Sequence, residues 1–174
     1  MNDRARALAD SGPPRVLIAE SVLSVTEKLL IDQGGRGAHE RIVYWAGVES
    51  ENTWLVTTAI RPESRTTWGS FQTSAKANAE VTLFLSRSNL QLLAQVHTHA
   101  NAFVDHSDGD DTMVVVAFQN FLSIVVPHYG TKGMRPLSQC GIHRFEEGVF
   151  RRLTPTEIDV AMRVLPGMQD FEGT

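Results

Sequence analysis

The sequence predicts an α/β fold: a single mixed β-sheet flanked by helices. Three observations carry that reading. Short apolar runs with strand composition recur along the chain, as at 42–48, 54–60, 90–98 and 121–126. Stretches with helical spacing lie between and after them, so strands and helices interleave. The length, 174 residues, suits one domain large enough to bury a core.

The elements follow in order. Residues 1–14 are polar and alanine-rich, close on Pro13–Pro14, and read as a flexible leader, with 15–174 as a single domain. Val16–Ala19 reads as a short strand. Ser21 is placed to cap a helix to about Ile31, with Val22, Val25, Leu29 and Leu30 on one face. Gly34–Gly37 ends it and lacks the order of a dinucleotide fingerprint. Ile42–Val48 and Trp54–Ile60 read as paired strands turning at Glu49–Asn52. Residues 61–72 are polar around Trp68 and read as a surface loop. A helix from Ala75 to about Ser86 precedes a strand, Leu90–Thr98, that runs into the histidines. Asp108 or Asp110 begins a helix to Gln119, and Phe121–Val126 is a strand stopped by Pro127. After a loop, 128–139, Ile142–Phe145 and Val149–Leu153 form a hairpin. Thr154–Pro155–Thr156–Glu157 supplies a cap and a first-turn proline for a last helix to about Val164.

Composition narrows the function. A net charge of −4 and a pI near 5.8, without a clustered basic stripe, argue against a nucleic-acid partner. One cysteine, Cys140, allows no internal disulfide and fits a reducing cytoplasm. The first 15 residues lack the apolar core of a secretory signal. The longest apolar run, about six residues, is far below the roughly 20 that cross a bilayer, so no membrane partner is expected.

The informative stretch is His97-Thr98-His99, seven residues, then Ser107-Asp108-Gly109-Asp110. Histidines two apart at a strand end point to one face. Asp110, on the first turn of the following helix, can fold back toward them, and Asp111 is the alternative one residue on. Two histidines and a carboxylate leave a tetrahedral zinc an open position for water, although such a set also accepts iron or manganese. Requiring Ser and Asp at fixed distances from His-x-His reduces a chance match to roughly one in a thousand. A calcium loop starting at Asp105 is rejected because its twelfth position is Val116. Asp105 and His106 are expected at the rim. Cys140 as a nucleophile has no supporting local motif.

This array resembles the signature of the JAB/JAMM (MPN) metallopeptidases, which remove ubiquitin or a ubiquitin-like protein from its targets. Glu40-Arg41-Ile42-Val43-Tyr44-Trp45-Ala46-Gly47 looks like that family's upstream glutamate and the glycine-ended strand after it, and 148–154 like its last strand and turn. Ala100, His106 and Val43 stand where members often have proline, proline and glycine. The resemblance implies the MPN/JAB (cytidine-deaminase-like) fold over about 16–155, and one zinc on His97, His99 and Asp110. It implies Glu40 as general base and Ser107 as oxyanion donor, with Glu20, Glu49 and Glu51 as rivals to Glu40. Ser107 is also placed as a helix N-cap. The implied substrate is the peptide or isopeptide bond after the C-terminus of a ubiquitin-like modifier. E1- and E2-like enzymes of one operon, and a phage-defence system, are the implied context. Family enzymes hold the modifier's tail as an added strand. Loops 61–71 and 128–139, with Trp68 and Tyr129, would build that groove. The alternatives are a metallopeptidase for unrelated substrates and a catalytically silent MPN scaffold.

Overall fold

In the computed structural model the run Ile42-Val43-Tyr44-Trp45-Ala46-Gly47 is buried at every position. A strand covered on both faces needs such a continuous apolar run. The structure describes residues 12–31, 38–107, 109–110 and 116–167. Residues 1–11 of the expected leader, the glycine break at 34–37, Asp108 and Asp111 lie outside them.

The strands are β1 (Arg15–Ala19), β2 (Ile42–Ser50), β3 (Thr53–Ile60), β4 (Ser64–Thr67), β5 (Ser70–Thr73), β6 (Gln91–Thr98), β7 (Leu122–Val126), β8 (Gly141–Glu146), β9 (Val149–Arg152) and β10 (Met162–Leu165). The helices are α1 (Glu20–Leu30), α2 (Ala75–Ser88) and α3 (Pro155–Ala161). One mixed sheet has the order β10-β1-β3-β2-β6-β7-β8-β9, and β4 and β5 form a separate hairpin. β1 is parallel to β10 and β3, and β6 is parallel to β7; the other neighbours are antiparallel. The fold is therefore the expected α/β class with one mixed sheet.

The two faces of β2 divide the core. Val43 and Trp45 face α1, packing with Val22, Leu23 and Leu30. Ile42 and Tyr44 face the other side, where Phe71 of the hairpin and Val81 of α2 cover them. A β-bulge lies between Ala46 and Gly47. A Cβ on Gly47 would stand 1.9 Å from the Leu55 carbonyl oxygen, so this crossing requires glycine. Trp45 Nε1 donates to Thr26 Oγ1 at 2.8 Å, and that hydroxyl donates to Val22 O, which satisfies the buried indole within the α1 interface.

Several sequence expectations are corrected. Residues 61–72 are not an open loop: most of the stretch is the β4–β5 hairpin, and Phe71 is buried. Ser21 does not cap α1, which starts at Glu20 with Ala19 before it and no side-chain cap. Leu23 and Thr26 take the buried face there, and Val25 is exposed. β2 continues past Val48 to Ser50. Val116–Phe118, expected in a helix, are not helical; 112–115 lie outside the described residues. The last helix stops at Ala161, and Met162–Leu165 pair in parallel with β1. The Thr154/Glu157 capping box and the Pro155 start are as expected.

Candidate metal centre

His97 lies opposite Ile42 in the β2–β6 ladder, so its imidazole leaves the sheet on the Phe71 side. The Phe71 ring packs on it at 5.2 Å between centroids. His99 follows on the same side, just past the strand end; the imidazoles are 5.1 Å apart. Gly109 and Asp110 are helical, and Asp110 turns back to the pair. His97 Nε2 is 3.1 Å from Asp110 Oδ1, and His99 Nε2 is 3.2 Å from Asp110 Oδ2. One donor atom from each of these residues lies within 4.8 Å of the others, and all three residues are buried.

The donor set fits a metal ion. The His97–Asp110 contact is at hydrogen-bond distance, yet His97 Nε2 has no aligned hydrogen-bond partner and neither does Nδ1. Buried ring nitrogens without partners are costly, and atoms that converge without aiming at one another suit a shared cation. His99 Nδ1 lies 2.9 Å from the Phe103 carbonyl, which can only accept. In a neutral ring the proton therefore sits on Nδ1, and Nε2, 3.2 Å from Asp110 Oδ2, is the atom that a metal would take.

Electrostatics separates the groups. Burial lowers the His97 pKa, beyond what the Asp110 carboxylate restores. Burial also works against charge on His99, but Asp110 and the Phe103 carbonyl outweigh it and raise its pKa. Burial would raise Asp110; the His97 and His99 rings 3.1 and 3.2 Å away, their charge and the Ser107 amide hold it far below the usual carboxylate range. Glu40 is different. Only 7% exposed, it is pushed up to about 7, first by burial and then by the Asp110 charge, with His99 opposing.

Glu40 precedes β2 and is placed by its amide, which donates to the Thr67 carbonyl at 2.8 Å. It lines a cavity of about 310 Å³ together with His99, Ser107, Asp110, Trp68 and Phe103. The rivals lie elsewhere. Glu20 binds Arg135 at 2.6 Å, and Glu49 and Glu51 sit near the opposite end of β2, roughly 25 Å along the strand from Glu40. A larger cleft of about 530 Å³, between Glu63–Arg65 and the start of α2, contains none of these residues.

Ser107 is a cap and more. Its amide and its Oγ donate to Asp110 Oδ2 at 2.7 and 2.8 Å, and the Asp110 amide lies 3.3 Å from that Oγ. The serine thus holds the carboxylate while lining the cavity.

A polar layer that the sequence did not reveal lies behind the ligands. Gln95, Ser123 and His143 are buried on the His97 side of β6, β7 and β8. Gln95 Nε2 donates to Ser123 Oγ at 3.1 Å, and His106 Nε2 lies 2.9 Å from the same hydroxyl. His106 stacks on His143, centroids 4.0 Å apart, so it points inward and not to the rim. Asp105 is at the surface, where Arg152 Nη1 donates to it at 2.7 Å. Cys140 is buried and its thiol is pushed up to about 12, which makes it inert as a nucleophile.

No family model matches the chain. A Sinorhizobium fredii (strain NBRC 101917 / NGR234) protein named probable metalloprotease y4jG is 29% identical over 99 residues, which cover 55% of this chain. The match spans 60% of that relative's length. Among solved structures, Desulfitobacterium hafniense protein DSY2949 superposes with a TM-score of 0.63 at 8% identity, over 87% of this chain and 93% of that one. This is a likeness of fold. The Archaeoglobus fulgidus JAB1/MPN domain protein AF2198 aligns over 83% of this chain and 98% of its own, at 11% identity and a TM-score of 0.43, too loose to carry weight. The probable metalloprotease, together with the His97, His99 and Asp110 group in this mixed α/β fold, bears out the resemblance of the chain to the JAB/JAMM (MPN) metallopeptidases.

Proposed function

We propose that the chain is a zinc-dependent hydrolase of the JAB/JAMM kind, cleaving a peptide or isopeptide bond. The observation that carries this is the convergence of His97 Nε2, His99 Nε2 and both Asp110 oxygens beside a glutamate whose pKa is about 7. His97, His99 and Asp110 would hold the metal. When bound, zinc supplies Lewis acidity toward a water and toward the scissile carbonyl.

The chain's own groups do the rest. Glu40 takes the proton of the attacking water on its carboxylate and passes it to the departing amine. The Ser107 hydroxyl can turn from Asp110 Oδ2 to the developing oxyanion, because the Ser107 amide still holds that oxygen at 2.7 Å. His99 stays oriented by Phe103 throughout.

The substrate proposed is the C-terminal tail of a ubiquitin-like modifier, joined to a target or to its own precursor extension. The proposed setting is the cytoplasm, beside E1- and E2-like enzymes in a phage-defence system. The motif resemblance supports the substrate, and the lack, among the described residues, of a helix long and apolar enough to cross a membrane is compatible with the setting. The test is cleavage of ubiquitin-like fusions by zinc-loaded chain. Chelator-sensitive release of the modifier supports the reading. A chain that holds zinc and releases none of them overturns the ubiquitin-like substrate, and one that holds no metal after reloading favours the scaffold.

A further inference from the structure

Three consecutive residues after β7 have left-handed backbone: His128 at φ 55°, Tyr129 at 53° and Gly130 at 72°. Two of them carry side chains. Such residues stay in this region only where the surroundings fix them, and here the surroundings belong to the metal centre. The His128 amide donates to the Asn101 carbonyl at 2.9 Å, and the Tyr129 amide donates to the His99 carbonyl at 2.7 Å. A Cβ on Gly130 would meet Leu30 Cβ at 3.3 Å, so the turn also sits tightly on α1. The turn is thereby fastened to the strand end that carries His99.

From that base Tyr129 reaches across. Its hydroxyl donates to the Trp68 carbonyl at 2.7 Å, 61 residues away in sequence. Trp68, Gly69 and Ser70, at the tip of the β4–β5 hairpin, form one wall of the metal cavity, and His99, Ala100 and Asn101 lie on another. Phe71, opposite Thr66, is buried, and the Glu40 amide holds the carbonyl of Thr67, the residue just before the tip, so Trp68 itself is held across the cavity by the Tyr129 bond. The tip is not anchored through its largest side chain, since Trp68 is 76% exposed.

We propose that Tyr129 is a positioning residue: its hydroxyl clamps the hairpin tip at a fixed spacing from His99 and so sets the opening through which a scissile bond reaches the metal. The clamp rests on geometry alone, and its effect on substrate entry rests on the hydrolase reading. Tyr129 does not line the cavity, so it is not a catalytic residue.

The test is Tyr129→Phe, which keeps the ring and removes the donor. On zinc-loaded chain, hydrogen exchange of peptides covering 64–73 is compared with β6 and β7 peptides of the same molecules, and the rate of zinc extraction by a chelator is followed. Loss of one hydrogen bond should speed hairpin exchange and zinc extraction by about fivefold, with β6 and β7 exchange and zinc content unchanged. With a substrate in hand, KM should rise while kcat stays near wild type. Unchanged exchange at 64–73 with unchanged extraction overturns the clamp. So does faster exchange spread evenly over the hairpin, β6 and β7. If wild type holds zinc but cleaves nothing, the hydrolase reading fails, and exchange and extraction still decide the clamp. If it holds no metal, exchange decides alone.

Discussion

Gly141 opens β8 directly beneath the loop that carries Ser107. A Cβ built there would lie 1.8 Å from the Val104 carbonyl oxygen, 2.8 Å from its carbon and 3.0 Å from its side chain. The first two are backbone atoms and cannot swing aside. Restoring a contact of about 3.2 Å requires Val104 or β8 to move by roughly 1.4 Å, through backbone that leads in three residues to Ser107. Overpacking of this kind costs about 1–3 kcal/mol of stability. Displacement of about 1 Å at reacting groups costs on the order of 100-fold in rate. Gly141→Ala is therefore expected to fold, with a lowered midpoint in urea. It should keep zinc on the His97–His99 pair more weakly and lose most of its turnover. The assay is parallel measurement of urea midpoint, zinc affinity and kcat. A variant indistinguishable from wild type in all three would refute the claim that this close approach positions the Ser107–Asp110 turn.

Other outcomes follow from the same geometry. Glu40→Gln keeps the ligands and removes the proton acceptor, so zinc content should hold while turnover falls about 10²- to 10⁴-fold; an active variant would sink the base assignment. In metal-free chain, Glu40 is raised from 4.5 to about 7, so folding favours its protonated form. The stability it contributes is fully present below about 4.5 and is lost as pH rises through about 7. Denaturation from pH 5 to 8 should show wild type losing stability relative to Glu40→Gln. In zinc-loaded chain the added cation favours the carboxylate, so the acid limb of kcat/KM should lie below about 7. Thr26→Val leaves the buried Trp45 indole N–H without its acceptor and should cost about 1–3 kcal/mol in denaturant unfolding, with zinc binding unchanged.

The constellation was legible in sequence because its spacing is local. His97 and His99 share a strand face by alternation, and Asp110 returns on the next helical turn. Glu40 is singled out by the family resemblance, as the glutamate before an apolar strand that reaches Gly47, and its burial at the cavity wall separates it from Glu20, Glu49 and Glu51. What stayed hidden depends on pairing between distant segments. The layer of Gln95, Ser123, His106 and His143 combines three strands and a loop, and each member alone is an ordinary polar residue. The β4–β5 hairpin is written almost wholly in Ser, Thr, Arg and Gln, and only Phe71 gives it a buried anchor. The sequence of β10 reads as helix because the pattern of α3 carries past Ala161, whereas the pairing of Met162–Leu165 with β1 decides its conformation. Local propensity gives way to tertiary pairing in both places.

Everything proposed for the site depends on a metal ion held by His97, His99 and Asp110. Elemental analysis of purified wild type and His97→Ala, each reloaded with zinc and freed of excess, tests it most directly. About one zinc per wild-type chain is expected, with a large loss in the variant and the fold retained. Wild type without metal after reloading, or His97→Ala that holds zinc as tightly as wild type, would contradict it.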